Sequence, residues 1–223
     1  FGARANISLL LEFLPLEKVI AVLREHLQDM PTASKSPDLL KVDVDHADCM
    51  FMQAALQVVQ PKLIHFEYTS MLPPPLDYAQ HYQPGLLSTS LMERPGPPLA
   101  QNGDAAQGPG MELAGCSLSA FLSRAPDYSL LVAGDEEAIL VHHGLASVFE
   151  TGRGRLSAWD AWVRGSLCHP LQGHPPGSFA WGFDFRALAD QRFAAEDRRR
   201  MLAALLEEHG SFEYSLRLSD AGS

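Results

Sequence analysis

Basic residues are scarce in this sequence: 17 Lys and Arg stand against 27 Asp and Glu among 223 residues, a formal net charge of −10. A surface that holds phosphates needs concentrated positive charge. The basic cluster Arg198-Arg199-Arg200 has Glu196 and Asp197 beside it, so no nucleic-acid partner is expected. Long apolar runs are missing too. Glu12, Glu17 and Lys18 interrupt the longest candidate, which falls short of the ~18–20 residues of a spanning helix, and no membrane span is expected. Cysteine is sparse: Cys49, Cys116 and Cys168 are odd in number and widely spaced. That pattern argues against a disulfide framework and makes a reducing, cytoplasmic compartment the default. No Gly-x-Ser-x-Gly elbow supports a nucleophilic hydrolase. Gly152-Arg153-Gly154-Arg155 lacks both the preceding strand and the closing Lys-Ser/Thr of a phosphate loop. The chain opens Phe1-Gly2-Ala3-Arg4 without an initiator Met or a charged-then-apolar leader, and is read as a fragment or a processed chain.

What is present suits a folded domain, with 46% hydrophobic and 20% charged residues. Ile7 to Leu11 has strand length, and Pro15 opens a segment in which Leu16, Val19, Ile20, Leu23 and Leu27 fall at helical spacing. Leu39 to Asp45 reads as a buried strand ending in carboxylates. A helix over about Cys49 to Val59 follows, then a strand over Lys62 to Tyr68 that again ends in an acid. Strands alternating with helices over short connections predict an α/β fold whose parallel strands are crossed by helices. Ligands in such sheets sit beyond the carboxyl ends of the strands, where Asp43, Asp45 and Glu67 stand. Pro73-Pro74-Pro75 reads as a stiff extended element, and residues 83–114, crowded with Gly and Pro, as a flexible insertion. Ser117 is placed to cap a helix running to about Arg124. Tyr128 to Val132 and Ala138 to His142, joined by a short Gly-containing loop, predict an antiparallel hairpin. The main domain is therefore expected over 1–146. Residues 147–223 form an irregular C-terminal extension with an amphipathic helix over about 186–209 and a last strand over Phe212 to Leu218.

Asp43-Val44-Asp45-His46-Ala47-Asp48 is the densest set of potential ligands. Side chains alternate along a strand, so Asp43 and Asp45 share a face. Together with His46 or Asp48 they suit a hard divalent cation, or paired carboxylates for acid–base work. The alternative is that Asp45 and Asp48 cap the next helix and meet its dipole. Glu67 ends an apolar strand and needs a partner there, either a ligand or the turn Thr69-Ser70. His65 reads as structural and His142-His143 as a surface turn. Cys168, His169 and His174 lack the complementary ligand pair of a structural zinc site.

Leu39 to Asp48, followed by a helix and then Pro61 to Tyr68, resembles the middle of FkbM-type S-adenosylmethionine-dependent methyltransferases. There a strand of the form Leu-Leu-x-Ile-Asp-x-Asp/Glu-Gly-x-Asp/Glu precedes a helix and a strand ending in Glu. The Gly115 to Leu118 helix start and the two later strands look like that family's closing helix and antiparallel pair. The similarity spans roughly residues 7 to 146, with His46 standing where the family usually has Gly. The resemblance implies a partial Rossmann-like methyltransferase sheet and methyl transfer from S-adenosylmethionine, preferably to a hydroxyl of a small-molecule or glycan acceptor. It places Asp43 as catalytic base or cation ligand, Asp45 as its helper, and Glu67 on the acceptor side. A divalent cation would sit at Asp43, Asp45 and Asp48. The family's glycine-rich cofactor turn is expected before Phe1. Two further readings stand beside this one: a catalytically inactive methyltransferase-like binding module, and a metal-dependent glycosyltransferase using Asp43-x-Asp45.

Overall fold

The computed structural model describes residues 14–28, 36–44, 47–70, 72–83, 115–134, 136–149, 156–168 and 214–218, with helical positions 196–197, 200–201 and 203–204. The expected strand over 7–11, most of the insertion over 83–114 and most of the helix over 186–209 lie outside them. Among the described residues the fold is mixed α/β. A four-stranded sheet runs in the order β1 (Leu39–Val42), β2 (Leu63–Glu67), β5 (Glu137–His142), β4 (Tyr128–Ala133). β1 and β2 are parallel, and β5 runs antiparallel to both β2 and β4, so three strands share one direction and β5 alone is reversed.

The helical spacing read from Leu16 to Leu27 is realised as a 3-10 turn, Leu16–Lys18, leading into α1 (Val19–Leu27). α1 packs on α2 (Asp48–Ala55), which crosses over from β1 to β2. Ser117 caps α3 (Leu118–Arg124), accepting the Ala120 amide at 3.2 Å. This satisfies one of the donors that a helix start leaves unpaired. The expected hairpin forms as β4–β5, with an irregularity between Leu130 and Val132.

Alternation within the strands builds the core. Val42, Ile64, Phe66, Tyr128, Leu130, Ala138 and Leu140 are all at most 8% exposed and are joined by Met52 of α2 and Phe121 of α3. Phe66 stacks on Phe121 with ring centroids 3.8 Å apart. The domain boundary expected at 146/147 falls inside α4 (His143–Phe149). Beyond it, α5 (Ala158–Trp162) sends Ala161 and Trp162 into the same core, and Trp162 Nε1 donates to Ser70 O at 2.6 Å. The wide helical turn Val163–Leu167 then presses Gly165 against the carbonyls of Ala133 and Gly134, where a Cβ would clash.

Two departures from the sequence reading concern residues 72–83 and the cysteines. The prolines lead directly into β3 (Leu76–Gln80), every residue of which is buried, and β6 (Tyr214–Leu218) pairs with it antiparallel. Asp77 of β3 is held inside by Arg124 Nη1 at 3.0 Å and Ser123 Oγ at 2.7 Å. Cys49 and Cys116 form a disulfide across 67 residues of sequence, contrary to the inference drawn from their number and spacing. An odd count shows only that one thiol is left over, and that thiol is Cys168. Closing a loop of that length stabilises a fold by about 4 kcal/mol on the chain-entropy model. Among the described residues no helix is long and apolar enough to cross a membrane.

Candidate functional site

The sheet face opposite the core carries the ionisable residues. Its side chains belong to the same strands, one position out of step. Register sets Lys41 of β1 opposite His65 of β2, and Glu67 of β2 opposite Glu137 of β5. Just past β1, Asp43 Oδ2 lies 2.9 Å from Lys41 Nζ. His65 Nε2 lies 3.1 Å from Glu137 Oε2 and Lys41 Nζ 3.9 Å from Glu137 Oε1. Glu137 is thus shared by a cation and an imidazole, and with its proton on Nε2 the imidazole donates to the carboxylate. Lys41 is held above the ordinary lysine range, first by its hydrogen bond to Asp43 and that carboxylate's charge, then more weakly by Glu137 and Glu67.

Asp43 and Glu67 therefore belong to one network, in which Lys41 is the common element. His65 belongs to it as well: it sits at the sheet surface beside a carboxylate, and the structural reading omits that contact. Lys41 and Glu137 were not legible as site residues. Alternation alone could have placed Lys41 beside Asp43, but Glu137 joins through the register of a strand about 70 positions away.

Asp48 has a different place. It is 3% exposed in the first turn of α2, and its Oδ1 accepts the Val44 amide at 2.9 Å. It ties the end of β1 back to the start of α2, which is close to the capping alternative, although Ala47 occupies the N-cap position. Asp45 and His46 lie outside the described residues. Among those described, no group of three or more His, Cys, Asp or Glu side chains is placed to hold a metal ion, so a cation at Asp43, Asp45 and Asp48 depends on Asp45. Asp43 and Glu67 stand at the strand ends, but no described residue forms the glycine-rich cradle that S-adenosylmethionine would need.

The arrangement has two chemical capacities. A carboxylate-backed imidazole can take a proton from a neighbouring hydroxyl, and Lys41 can orient an anionic or polar group between Asp43 and Glu137. Tyr128, on the core side of β4, donates to Pro61 O at 2.8 Å. Burial pushes its hydroxyl up to about 12, with the Asp127 charge adding to the effect. It fastens β4 to the start of β2 and takes no part in the charged face.

Comparison of the chain with family models, with curated proteins and with solved structures finds no significant match.

Proposed function

We propose that this chain forms the later part of a class I, Rossmann-like S-adenosylmethionine-dependent methyltransferase domain, transferring a methyl group to a hydroxyl of a small-molecule or glycan acceptor. One observation carries the reading: the order and direction of the sheet. Two parallel strands, β1 and β2, run into acids at Asp43 and Glu67, and are followed by a helix and an antiparallel pair in which reversed β5 lies between β2 and β4. The FkbM-type resemblance implies such a closing helix and strand pair. β1 is the rim of the sheet among the described residues, with Leu39 53% exposed, and further strands would add on that side.

S-adenosylmethionine supplies an electrophilic methyl group, and holding it falls to chain outside the described residues. The work left to the described residues is alignment and proton removal. Asp43, its Oδ2 steadied by Lys41, takes the hydroxyl proton, His65 backed by Glu137 stands beside it, and Glu67 walls the same edge. Calorimetry of the full-length protein with S-adenosylhomocysteine is expected to show one binding event. Asp43→Asn is expected to lower methyl transfer about 10²–10⁴-fold, the usual contribution of a general base, with an unchanged melting temperature. Absence of binding heat would instead favour a partner-binding module, a reading supported by the commitment of Asp43 to an ion pair with Lys41.

A further inference from the structure

The Cys49–Cys116 bond joins the first turn of α2 to the residue just ahead of the α3 cap. Its two cysteines are 0% and 1% exposed. Both attachment points are also fixed by backbone bonding. Cys116 O accepts the Thr69 amide at 2.8 Å, Cys116 bridges Ala79 of β3, and Ser117 N donates to Tyr78 O at 2.9 Å. Gly115, at φ 84, makes the left-handed turn into this contact. On the other side, Met50 and Phe51 donate their amides to Ala47 O. Asp48, the neighbour of Cys49, holds the Val44 amide. The cross-link therefore braces the start of α2, which Asp48 ties to the end of β1, against β3 and α3.

We infer that Cys49–Cys116 is a permanent structural cross-link, installed during folding by a thiol–disulfide oxidant, and that this chain matures in an oxidising compartment. Sulfurs buried on both sides offer no path to an attacking thiolate in the folded state, which separates this bond from exposed, switching disulfides. Disulfides of this kind form and persist where thiols are kept oxidised, so on this inference an oxidising compartment takes the place of the reducing, cytoplasmic default. The chemistry balances with a disulfide oxidant as co-reactant. One cysteine thiolate attacks a sulfur of the oxidant and forms a mixed disulfide; the second cysteine thiolate then displaces it. The chain loses two electrons and two protons, and the oxidant leaves as a dithiol. Cys168, exposed and free, serves as the internal reference thiol.

The test is a thiol count on the full chain secreted to an oxidising compartment, denatured in iodoacetamide without reductant. One carbamidomethyl group per chain is expected, and three after reduction, with the Cys49 and Cys116 peptides joined in the unreduced digest. Three groups before reduction, or a link through Cys168, would overturn the inference. Reductant added to the native protein is expected to leave the count at one, and rapid opening without denaturant would refute the permanent role. Denaturing reduction is expected to lower the melting temperature by roughly 10 °C, to that of a Cys49→Ala/Cys116→Ala variant that no longer responds to reductant. An oxidised chain no more stable than this variant would likewise sink the structural role.

Discussion

The two faces of the four-stranded sheet use the same strands for opposite purposes. On one, Val42, Ile64, Phe66 and Leu140 meet α2, α3 and α5 and are almost wholly removed from water. On the other, one residue out of step, Lys41, His65, Glu67 and Glu137 form a network at the sheet surface. The first face gains stability from area and packing, at about 25 cal/mol per Å² of apolar surface buried. The second gains little, because exposed charge pairs are screened by water and salt.

The contrast is sharpest at neighbouring positions. Phe66→Ala removes a ring stacked on Phe121 and is expected to cost about 3–5 kcal/mol in chemical denaturation. His65→Ala, next along the strand, is expected to cost under about 1 kcal/mol. Comparable losses would show that the charged face also carries the fold. Gly165→Ala tests the closure of the core by the wide helical turn Val163–Leu167, since the added Cβ meets the Ala133 and Gly134 carbonyls. The expected loss is about 1–3 kcal/mol, and a neutral result would mean that this turn yields.

Tyr128→Phe removes the bond to Pro61 O and is expected to cost about 1 kcal/mol at neutral pH. It should also change the alkaline limb. The folded chain keeps the phenol proton to about pH 12, whereas an unfolded tyrosine loses it near pH 10. The contribution is therefore complete below about pH 10 and is lost as pH rises through that window. Urea midpoints at pH 9 and 11 should differ more for wild type than for Tyr128→Phe. The smallest effect is expected from Glu137→Gln, a marginal shift in melting temperature that disappears in 1 M salt. A large, salt-insensitive shift would place the charged face among the structural elements.

Much of the local structure was legible in advance. Apolar spacing marks α1, Ser117 marks the start of α3, and two short runs around a Gly-containing loop mark β4 and β5. The site was half legible: Asp43 and Glu67 stand at strand ends, but Lys41 and Glu137 acquire meaning only when register sets β5 beside β2. β3 escaped because it is short, follows three prolines and holds Asp77 and Gln80, whose burial depends on partners such as Arg124 and the Gly115 amide. Sequence pattern by itself determined periodicity, caps and the placement of acids after strands, because these depend on residues within a few positions of one another. Tertiary structure alone decided the insertion of β5 between β2 and β4, the β3–β6 pair, the burial of Trp162 and the union of Cys49 with Cys116. Each joins positions tens of residues apart, and only the packed core, which offsets the entropy of closing those loops, brings them into contact.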